Sequence, residues 1–215
     1  MALLPLFPLG NTLLPGMRLP LQVFEERYLA MLRYLIDSQG EQSGFGVVAI
    51  RHGYEVGERV NELYSIGCLA VLDRIVQVNP TLFLILTHGT RRFRLDAVDE
   101  TASRPWMTGE VTWLEDMEVD PARTQSLAAA VRQETQVLSV TVGRDLPPAP
   151  SDPAYLAYWA AEALDLDRED RQRLLELPDI ADRLGLVRRM AQRETGLAFE
   201  LGVTSAPTST PPSLN

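Results

Sequence analysis

The sequence predicts an α+β protein, because strand-like and helix-like patterns occupy different parts of its 215 residues. Before about residue 116, valine, isoleucine and phenylalanine recur in alternating runs that are typical of strands. After it, alanine, leucine, arginine and glutamate repeat at helical spacing. We therefore expect a β-rich subdomain over residues 1–116, a helical subdomain over 117–202 and a disordered Thr/Ser/Pro tail over 203–215.

The first elements combine extended segments with one helix. Residues 3–9 are strand-like, and we expect an edge position for them because the prolines of this run cannot donate to a ladder. Residues 14–16 (Leu-Pro-Gly) predict a turn. Apolar residues at helical spacing then predict one helix over residues 25–38, and residues 44–50 predict a buried strand.

The strongest strand signal lies between residues 63 and 100. Cys68 falls on the apolar face of the first of these strands, which favours a small core residue over a reactive thiol. The pair Asn79-Pro80 predicts a type I turn, and the glycine at 89 suggests a further turn over residues 88–90. A succession of strands without intervening helices suggests a closed or nearly closed barrel.

The helical region carries clear start and stop signals. Asp120 and Asp152 each precede a proline, which predicts an N-cap residue followed by a first-turn proline. Gly143 predicts the end of the first of these helices. A short helix follows near residues 168–177, and Pro178 separates it from the last helix.

The charged residues exclude several kinds of chemistry. All 20 basic residues are arginines, so a Schiff-base lysine, a Ser-Lys dyad and a Walker A lysine are impossible within this sequence. The net charge of -9 argues against nonspecific binding to nucleic acid or to anionic membranes. One cysteine excludes an intramolecular disulfide and fits a reducing compartment. No uncharged apolar run approaches the roughly 20 residues of a membrane-spanning helix, so we expect a cytoplasmic protein.

We find no convincing catalytic or metal-binding pattern. His52 and His88 stand beside glycines, and each is more typical of a loop histidine than of a general base, although a hydrolase that uses one of them stays open. Four acidic residues fall at the first, third, fifth and twelfth positions of an EF-hand loop: Asp165, Asp167, Glu169 and Glu176. Asp170 stands where that loop needs glycine, so we interpret Asp167 as a helix cap. We predict no metal and no cofactor.

One basic cluster, Arg91-Arg92-Phe93-Arg94, lies on a predicted strand. Strand alternation places Arg92 and Arg94 on one face and Phe93 on the other. We expect the arginines to lie on a solvated outer face, paired with carboxylates among residues 96–100. An RNA-contacting edge is the alternative.

Three segments near the N-terminus carry a family resemblance: LPLFPL at residues 4–9, LPG at 14–16 and LPLQVFEERY at 19–28. This pattern resembles the N-terminal substrate-binding domain of the Lon ATP-dependent proteases. Later segments are similar to the same family in the same order: GFGVV at 44–48, residues 64–72, GTRRFRL at 89–95, QRLLEL at 172–177 and Arg183-Leu184. The resemblance covers about residues 3–195.

The resemblance implies a PUA-like β pseudo-barrel with one inserted helix, followed by a C-terminal helical bundle. In Lon this domain captures unfolded or degron-bearing polypeptide, and separate ATPase and protease domains follow it. We therefore expect a stand-alone, non-enzymatic protein- or peptide-binding module, with a protease or a chaperone as a further partner. Because PUA-like barrels also serve in RNA binding, an RNA-binding module is the alternative function.

Two groups of residues are candidates for a role in this module. We expect the family-motif residues to serve the structure rather than contact a ligand: Phe7, Pro15, Gly16, Phe24, Glu25, Arg27, Tyr28, Gly67, Arg92 and Phe93. A peptide-capturing surface should expose aromatic and methionine side chains near loops, and our candidates are Tyr54, Phe83, Trp106 and Met107. An extended peptide could also pair with an open sheet edge.

Overall fold

The computed structural model describes residues 2–37, 44–52, 62–99, 104–143 and 145–200, and these form a mixed α/β fold. In chain order the elements are β1 (Ala2–Leu9), β2 (Arg18–Val23), α1 (Glu26–Asp37), β3 (Gly44–His52), β4 (Glu62–Leu63), β5 (Ile66–Asn79), β6 (Leu82–Val98), β7 (Thr108–Leu114), α2 (Pro121–Val142), α3 (Pro153–Ala163), α4 (Arg168–Glu176) and α5 (Ile180–Glu200). The strands precede all helices except α1, as the sequence predicts.

The strands form one sheet that closes on itself. Its order is β1-β7-β6-β5-β3-β4, β2 pairs with β6, and β1 also pairs with β3. The β1–β3 contact is parallel, and it joins the two sides of the sheet into a ring made of β1, β7, β6, β5 and β3. This closure agrees with the expectation of a closed or nearly closed barrel.

The edge position expected for β1 is wrong. Residues 2–5 of β1 pair with β7, and residues 6–9 pair with β3, so the strand has a neighbour on each side. Each half of β1 is in register with one neighbour, and this arrangement tolerates Pro5 and Pro8, which cannot donate to a ladder. Leu6 lies at 0% exposure in the interior of the ring.

Strands β5 and β6 form a long hairpin. Its turn follows the prediction, because Asn79 Oδ1 accepts hydrogen bonds from the backbone N–H and hydroxyl of Thr81. The second turn expected at residues 88–90 is wrong, since β6 continues through it. A Cβ atom on Gly89 would stand 2.3 Å from the carbonyl oxygen of Leu14, so the glycine serves a close backbone approach rather than a turn.

The interior of the sheet is apolar. One core cluster comprises Leu4, Leu6, Val48, Leu69, Phe93 and Val111. Helix α1 buries its own apolar face, including Tyr28, whose ring stacks on Phe7 with centroids 4.0 Å apart. Aromatic stacking of this kind adds roughly 0.5–1.5 kcal/mol beyond the area buried.

The chain divides into two compact units. The sheet unit comprises Met1–Met117 and Leu166–Pro178, and the helical unit comprises the rest. The sequence instead suggested one cut near residue 116, which would leave α4 with the other helices. Helix α4 lies with the sheet because its side chains bond to strand carbonyls, as Gln172 does to Ile66 and Arg168 to Ile50.

In the helical unit, α2, α3 and α5 pack against one another. The predicted caps are confirmed: Asp120 accepts from the N–H of Arg123, Asp152 accepts from the N–H of Ala154, and Gly143 ends α2 in the left-handed conformation. The Thr/Ser/Pro tail over 203–215 lies outside the described residues. None of the described helices is long and apolar enough to cross a membrane.

Candidate functional site

At the end of the β5–β6 hairpin, β2, β6 and β5 form a three-stranded part of the sheet, which we call the small sheet. β6 lies in the middle, because residues 83–88 pair with residues 18–23 of β2 on one side and with β5 on the other. In this register Val76, Leu84 and Gln22 form one row across the strands, and Ile75, Ile85 and Leu21 form the next. Side chains of successive rows point to opposite faces of the sheet.

One of these two faces is apolar and accessible to solvent. The exposed fraction is 44% for Val76, 53% for Val78 and 42% for Leu84. We call this surface the hairpin face and define it by five residues: Val76, Val78, Leu82, Leu84 and Leu86. Leu82 and Leu86 are half-buried, and the other three are exposed. Exposed apolar side chains that stand singly are ordinary, whereas a contiguous group of them is typical of a binding surface.

The opposite face of the same strands is covered. Ile85 is 4% exposed, Val23 is 2% exposed and Thr87 is fully buried. The hydroxyl of Thr87 donates to the carbonyl oxygen of Leu19 on β2, which ties the two strands together. The hairpin face is therefore the solvent-accessible side of these strands, and their opposite side is buried.

Polar side chains border the hairpin face. Arg74 is in register with Leu86, and His88 lies two rows further along β6, on the same face as Leu86. His88 Nδ1 is hydrogen-bonded to Asp73 Oδ1 at 2.6 Å, so this histidine lies on a strand rather than in a loop. An apolar centre with a polar rim is the usual composition of a protein-binding patch.

The edges of this small sheet are less suited to a ligand than its face. Among the described residues, β2 pairs with β6 alone, and β5 beyond Val71 also pairs with β6 alone. Pro20 removes a backbone donor from β2, and register shifts interrupt β5 near residues 73 and 78. Prolines and bulges of this kind protect open edges against strand addition.

The structure does not bring the predicted peptide contacts together. Phe83 is half-buried on the covered face of the hairpin, and Tyr54 lies outside the described residues. Trp106 is 9% exposed, with its ring 5.3 Å from that of Tyr34. Met107 is half-buried against the core cluster. The hairpin face therefore contains none of the three described candidates, Phe83, Trp106 and Met107.

The sequence does carry a signal for the hairpin face. Residues 82–86 are an unbroken apolar run on a strand, so both faces of that strand are apolar. Such a run is typical of a strand covered on both sides, and only the three-dimensional structure reveals that one side is open.

The family-motif residues near the N-terminus occupy structural positions, with one exception. Gly16 has φ 83° and follows Pro15 in a tight turn closed by a bond from the N–H of Met17 to the carbonyl of Leu14. Arg27 and Glu25 form an ion pair of 2.8 Å at the start of α1. Phe24, for which we expected a structural role, is 55% exposed and is not part of the core.

Gly67 and Phe93 are a packed pair. Phe93 is fully buried, and a Cβ atom on Gly67 would stand 2.5 Å from Phe93 Cζ and 2.6 Å from the carbonyl oxygen of Val47. A glycine is therefore needed where the aromatic ring crosses the neighbouring strand.

The solvated position expected for Arg92 is wrong. Arg92 is 3% exposed, and its guanidinium donates to the carbonyl oxygens of Leu175, Leu177 and Glu115. A fourth bond of 2.7 Å joins it to the carboxylate of Asp116. Arg92 therefore caps the C-terminal end of α4 and holds that helix on the sheet.

The burial of Arg92 removes most of the support for an RNA-binding strand. The exposed members of the cluster are also ion-paired, Arg94 with Asp96 at 2.7 Å and Arg91 with Glu115 at 3.0 Å. A hydrogen bond from Thr112 and the ion pair with Arg94 hold the pKa of Asp96 below its ordinary value. These carboxylates neutralise the positive charge that a phosphate backbone would need.

Of the groups weighed for chemistry, Asp167 has a structural role and Cys68 is buried. Asp167 accepts a hydrogen bond from the N–H of Asp170 and caps α4, as interpreted. No cluster of three or more potential metal ligands occurs among the described residues. Burial raises the pKa of the Cys68 thiol to about 12, so the thiol is protonated at neutral pH. His52 ends β3, and its side chain lies outside the described residues.

Comparison with known sequences assigns this fold to a family. Residues 3–193 match the family model of the ATP-dependent protease La (LON) substrate-binding domain. The Lon protease of Anaeromyxobacter dehalogenans is 26% identical over 203 residues, which are 90% of this chain and 23% of that protein. The Lon protease of Escherichia coli strain K12 is 23% identical over 202 residues, 90% of this chain and 25% of that protein. The chain thus spans about a quarter of the length of these relatives.

Solved structures agree with this assignment. A Lon N-terminal domain protein from Xanthomonas campestris superposes with a TM-score of 0.63 at 28% identity, over 86% of this chain and 96% of that one. The N-terminal domain of the Mycobacterium avium complex Lon protease has a TM-score of 0.61 at 20% identity, over 91% and 98% of the two chains, and it shares the fold. From residue 3 to residue 193 the chain therefore belongs to the family of Lon substrate-binding domains.

Proposed function

We propose that this chain is a non-enzymatic polypeptide-binding module that captures unfolded or degron-bearing protein segments on the hairpin face. The observation that carries the proposal is the contiguous exposure of Val76, Val78 and Leu84 on a sheet whose opposite side is anchored. Unfolded segments expose apolar side chains that folded proteins bury, and a flat apolar sheet accepts many such sequences. Membership in a substrate-binding family supports this function.

The hairpin face is suited to weak and sequence-tolerant binding. Burying a valine or leucine side chain completely contributes roughly 1.5–3 kcal/mol, and these side chains are already about half-covered. Each contact then contributes about 1 kcal/mol, and the three exposed contacts together about 3 kcal/mol before the cost of association. These three contacts alone do not hold a permanent complex, so a client must contribute further contacts, and its binding stays weak enough for capture and release.

We further infer that the closed ring of strands with α1 is the PUA-like pseudo-barrel of this family, and that α2, α3 and α5 are its C-terminal helical bundle. The pairing of β1 with β3 and the mutual packing of the three helices support this correspondence. In this proposal the module works in the cytoplasm and delivers its clients to a protease or a chaperone.

A titration with a labelled peptide tests the binding surface. The probe is a fluorescent, uncharged peptide that repeats leucine and phenylalanine between serines, and its partner replaces every apolar residue with serine. We expect the apolar peptide to bind and the serine peptide not to bind, because only the first can cover the hairpin face. The double variant Val76→Thr/Leu84→Thr should bind the apolar peptide at least tenfold more weakly.

The helical unit supplies the matched control. Val137 and Val140 of α2 are 46% and 70% exposed, and the variant Val137→Thr/Val140→Thr removes a similar apolar area far along the chain. It should bind within twofold of the wild type. Equal losses in the two double variants, or equal binding of the two peptides, would contradict the proposed surface.

A further inference from the structure

A cleft between α2 and α5 of the helical unit is lined mainly by polar and basic side chains. Its walls carry Arg123, Arg188 and Arg189, with Ser126 and Gln192 beside them, and Gly185 lies at its floor. The cavity has a volume of about 390 Å³, which accommodates a few side chains of an entering segment. We call it the arginine cleft and define it by its three arginines.

Two of the three guanidiniums of the arginine cleft are paired with carboxylates. Arg123 pairs with Asp182 at 3.0 Å and also interacts with the carboxylate of Asp179, and Arg188 Nε pairs with Glu134 at 2.7 Å. Arg189 is exposed and has no ion pair among the described residues. Arg189 is therefore the guanidinium of the cleft that is available to an incoming group.

Gly185 keeps the floor of the arginine cleft open. It lies inside α5, and the described glycines with positive φ are Gly16 and Gly143 alone, so its conformation does not require glycine. A Cβ atom at this position would stand 3.6 Å from Arg189 Nη1 and 4.0 Å from Leu127 Cδ1, both ordinary contacts. Neither backbone conformation nor close packing explains the glycine. Its effect is to leave space below the guanidinium of Arg189.

We propose that the arginine cleft binds a side-chain carboxylate of an acidic polypeptide segment. Guanidinium and carboxylate form charge-assisted hydrogen bonds, and Arg188 Nε already donates one such bond to Glu134 Oε1. One incoming carboxylate would give Arg189 a partner of the kind that Arg123 and Arg188 already have.

The acidic charge of the whole protein does not prevent this binding. The Debye length is about 8 Å at physiological ionic strength, so distant carboxylates are screened while a contact inside the cleft is not. This site differs in chemistry from the hairpin face, which offers apolar contacts. It adds a preference for acidic segments to the proposed capture of apolar ones.

A direct test uses two labelled peptides of glycine and serine, one with four glutamates and the other with four glutamines at the same places. We expect the glutamate peptide to bind at least tenfold more tightly at low salt. Arg189→Gln should weaken its binding at least tenfold. Arg193→Gln, an exposed arginine of α5 outside the cleft that pairs with Glu194, should change it less than twofold.

Two substitutions of Gly185 distinguish binding inside the arginine cleft from a general attraction of the peptide to the arginines of the protein. Gly185→Leu fills the floor and should abolish binding of the glutamate peptide, whereas Gly185→Ala should retain it within threefold. Equal binding of the two peptides would overturn the proposal, as would equal losses with Arg189→Gln and Arg193→Gln. Displacement of the peptide by low-millimolar inorganic phosphate would also overturn it, because the site would then take small anions. The uncharged apolar peptide, titrated in parallel, reports on the hairpin face alone.

Discussion

In the sheet unit the guanidinium of Arg92 is 3% exposed and bonds to three backbone carbonyls and one carboxylate, whereas in the helical unit the guanidinium of Arg189 is exposed above an open cleft. The same type of side chain thus stabilises one unit and is available for recognition in the other. Arg92 stabilises the sheet unit because the carbonyl groups at the end of α4 need hydrogen-bond donors, which its guanidinium supplies. The role of each of these arginines therefore depends on the partners that surround its guanidinium.

The glycines of the two units differ in the same way. Gly67 of the sheet unit stands against the ring of Phe93 and a strand carbonyl, so no side chain fits there. Gly185 of the helical unit meets only ordinary contacts. Close packing leaves no room for a side chain at Gly67, whereas there is room for one at Gly185. Substitutions at matched positions can test this contrast.

The largest effect is expected for Arg92→Gln. The shorter neutral side chain leaves the carbonyls of Leu175 and Leu177 without the donors that Arg92 supplies and breaks the ion pair with Asp116. Breaking a buried pair typically costs about 3–5 kcal/mol. Because Asp116 retains some contact with water, we expect a loss of about 3 kcal/mol in the free energy of unfolding. Urea denaturation measures this loss, and faster hydrogen exchange of the α4 amides would locate it.

The control for this variant is Arg94→Gln, two residues away on the same strand. Arg94 is 52% exposed in its ion pair with Asp96, and such surface pairs contribute at most about 1 kcal/mol. Equal stability losses in the two variants would show that Arg92 does not hold α4. Unchanged exchange of the α4 amides in Arg92→Gln would lead to the same conclusion.

Gly67→Ala should have the second largest effect. The added methyl group would lie within 2.6 Å of both the Phe93 ring and the Val47 carbonyl oxygen, so the strand must move. Overpacking of this kind costs about 1–3 kcal/mol, which corresponds to a fall of several degrees in the melting temperature. Calorimetry of the variant measures it, and a melting temperature equal to that of the wild type would contradict the packing described.

The sequence is informative where the determinants of structure are local. Asp120 and Asp152 sit next to the helices they cap, and each predicted helix start agrees with the structure. Asn79 likewise organises the turn that it begins. Such features need only a few neighbouring residues, so a pattern along the chain is enough to predict them.

Partners that are distant in the sequence explain what could not be predicted. Strand alternation places Arg92 on a solvated face, but the carbonyls that bury it belong to residues more than eighty positions later. Strand β1 looks like an edge because of its prolines, and its pairing with β3 spans forty residues. The hairpin face also escapes prediction, because an apolar run does not reveal which of its sides remains uncovered.

Alkaline pH should destabilise the sheet unit through its cysteine, the single cysteine of the sequence. Burial raises the pKa of Cys68 from 9.0 to about 12, so above pH 9 the unfolded thiol loses a proton that the folded thiol keeps. The contribution of Cys68 to the free energy of unfolding is therefore constant below pH 9 and falls between pH 9 and 12. The expected loss at pH 10 is on the order of 1 kcal/mol.

Denaturation at several pH values, with Cys68→Ala as the reference, isolates this effect. The variant removes the titrating thiol, so its stability should depend less steeply on pH above 9 than that of the wild type. The native thiol should also react with a disulfide reagent only as fast as the protein unfolds. Parallel pH profiles, or rapid modification of the folded protein at pH 8, would contradict the burial of Cys68.

The smallest change, and the one of opposite sign, is expected for Gly185→Ala. Alanine stabilises a helix interior by up to about 1 kcal/mol relative to glycine, and at this position the methyl group meets Arg189 and Leu127 at ordinary contact distances. Urea denaturation should show a gain of about 0.5–1 kcal/mol. Gly185→Ala and Gly67→Ala add the same methyl group. Opposite signs of the change in the free energy of unfolding would confirm that there is room for this group at Gly185 and none at Gly67. A loss of stability in Gly185→Ala would mean that the floor of the arginine cleft is already filled, and the case for a ligand there would fail with it.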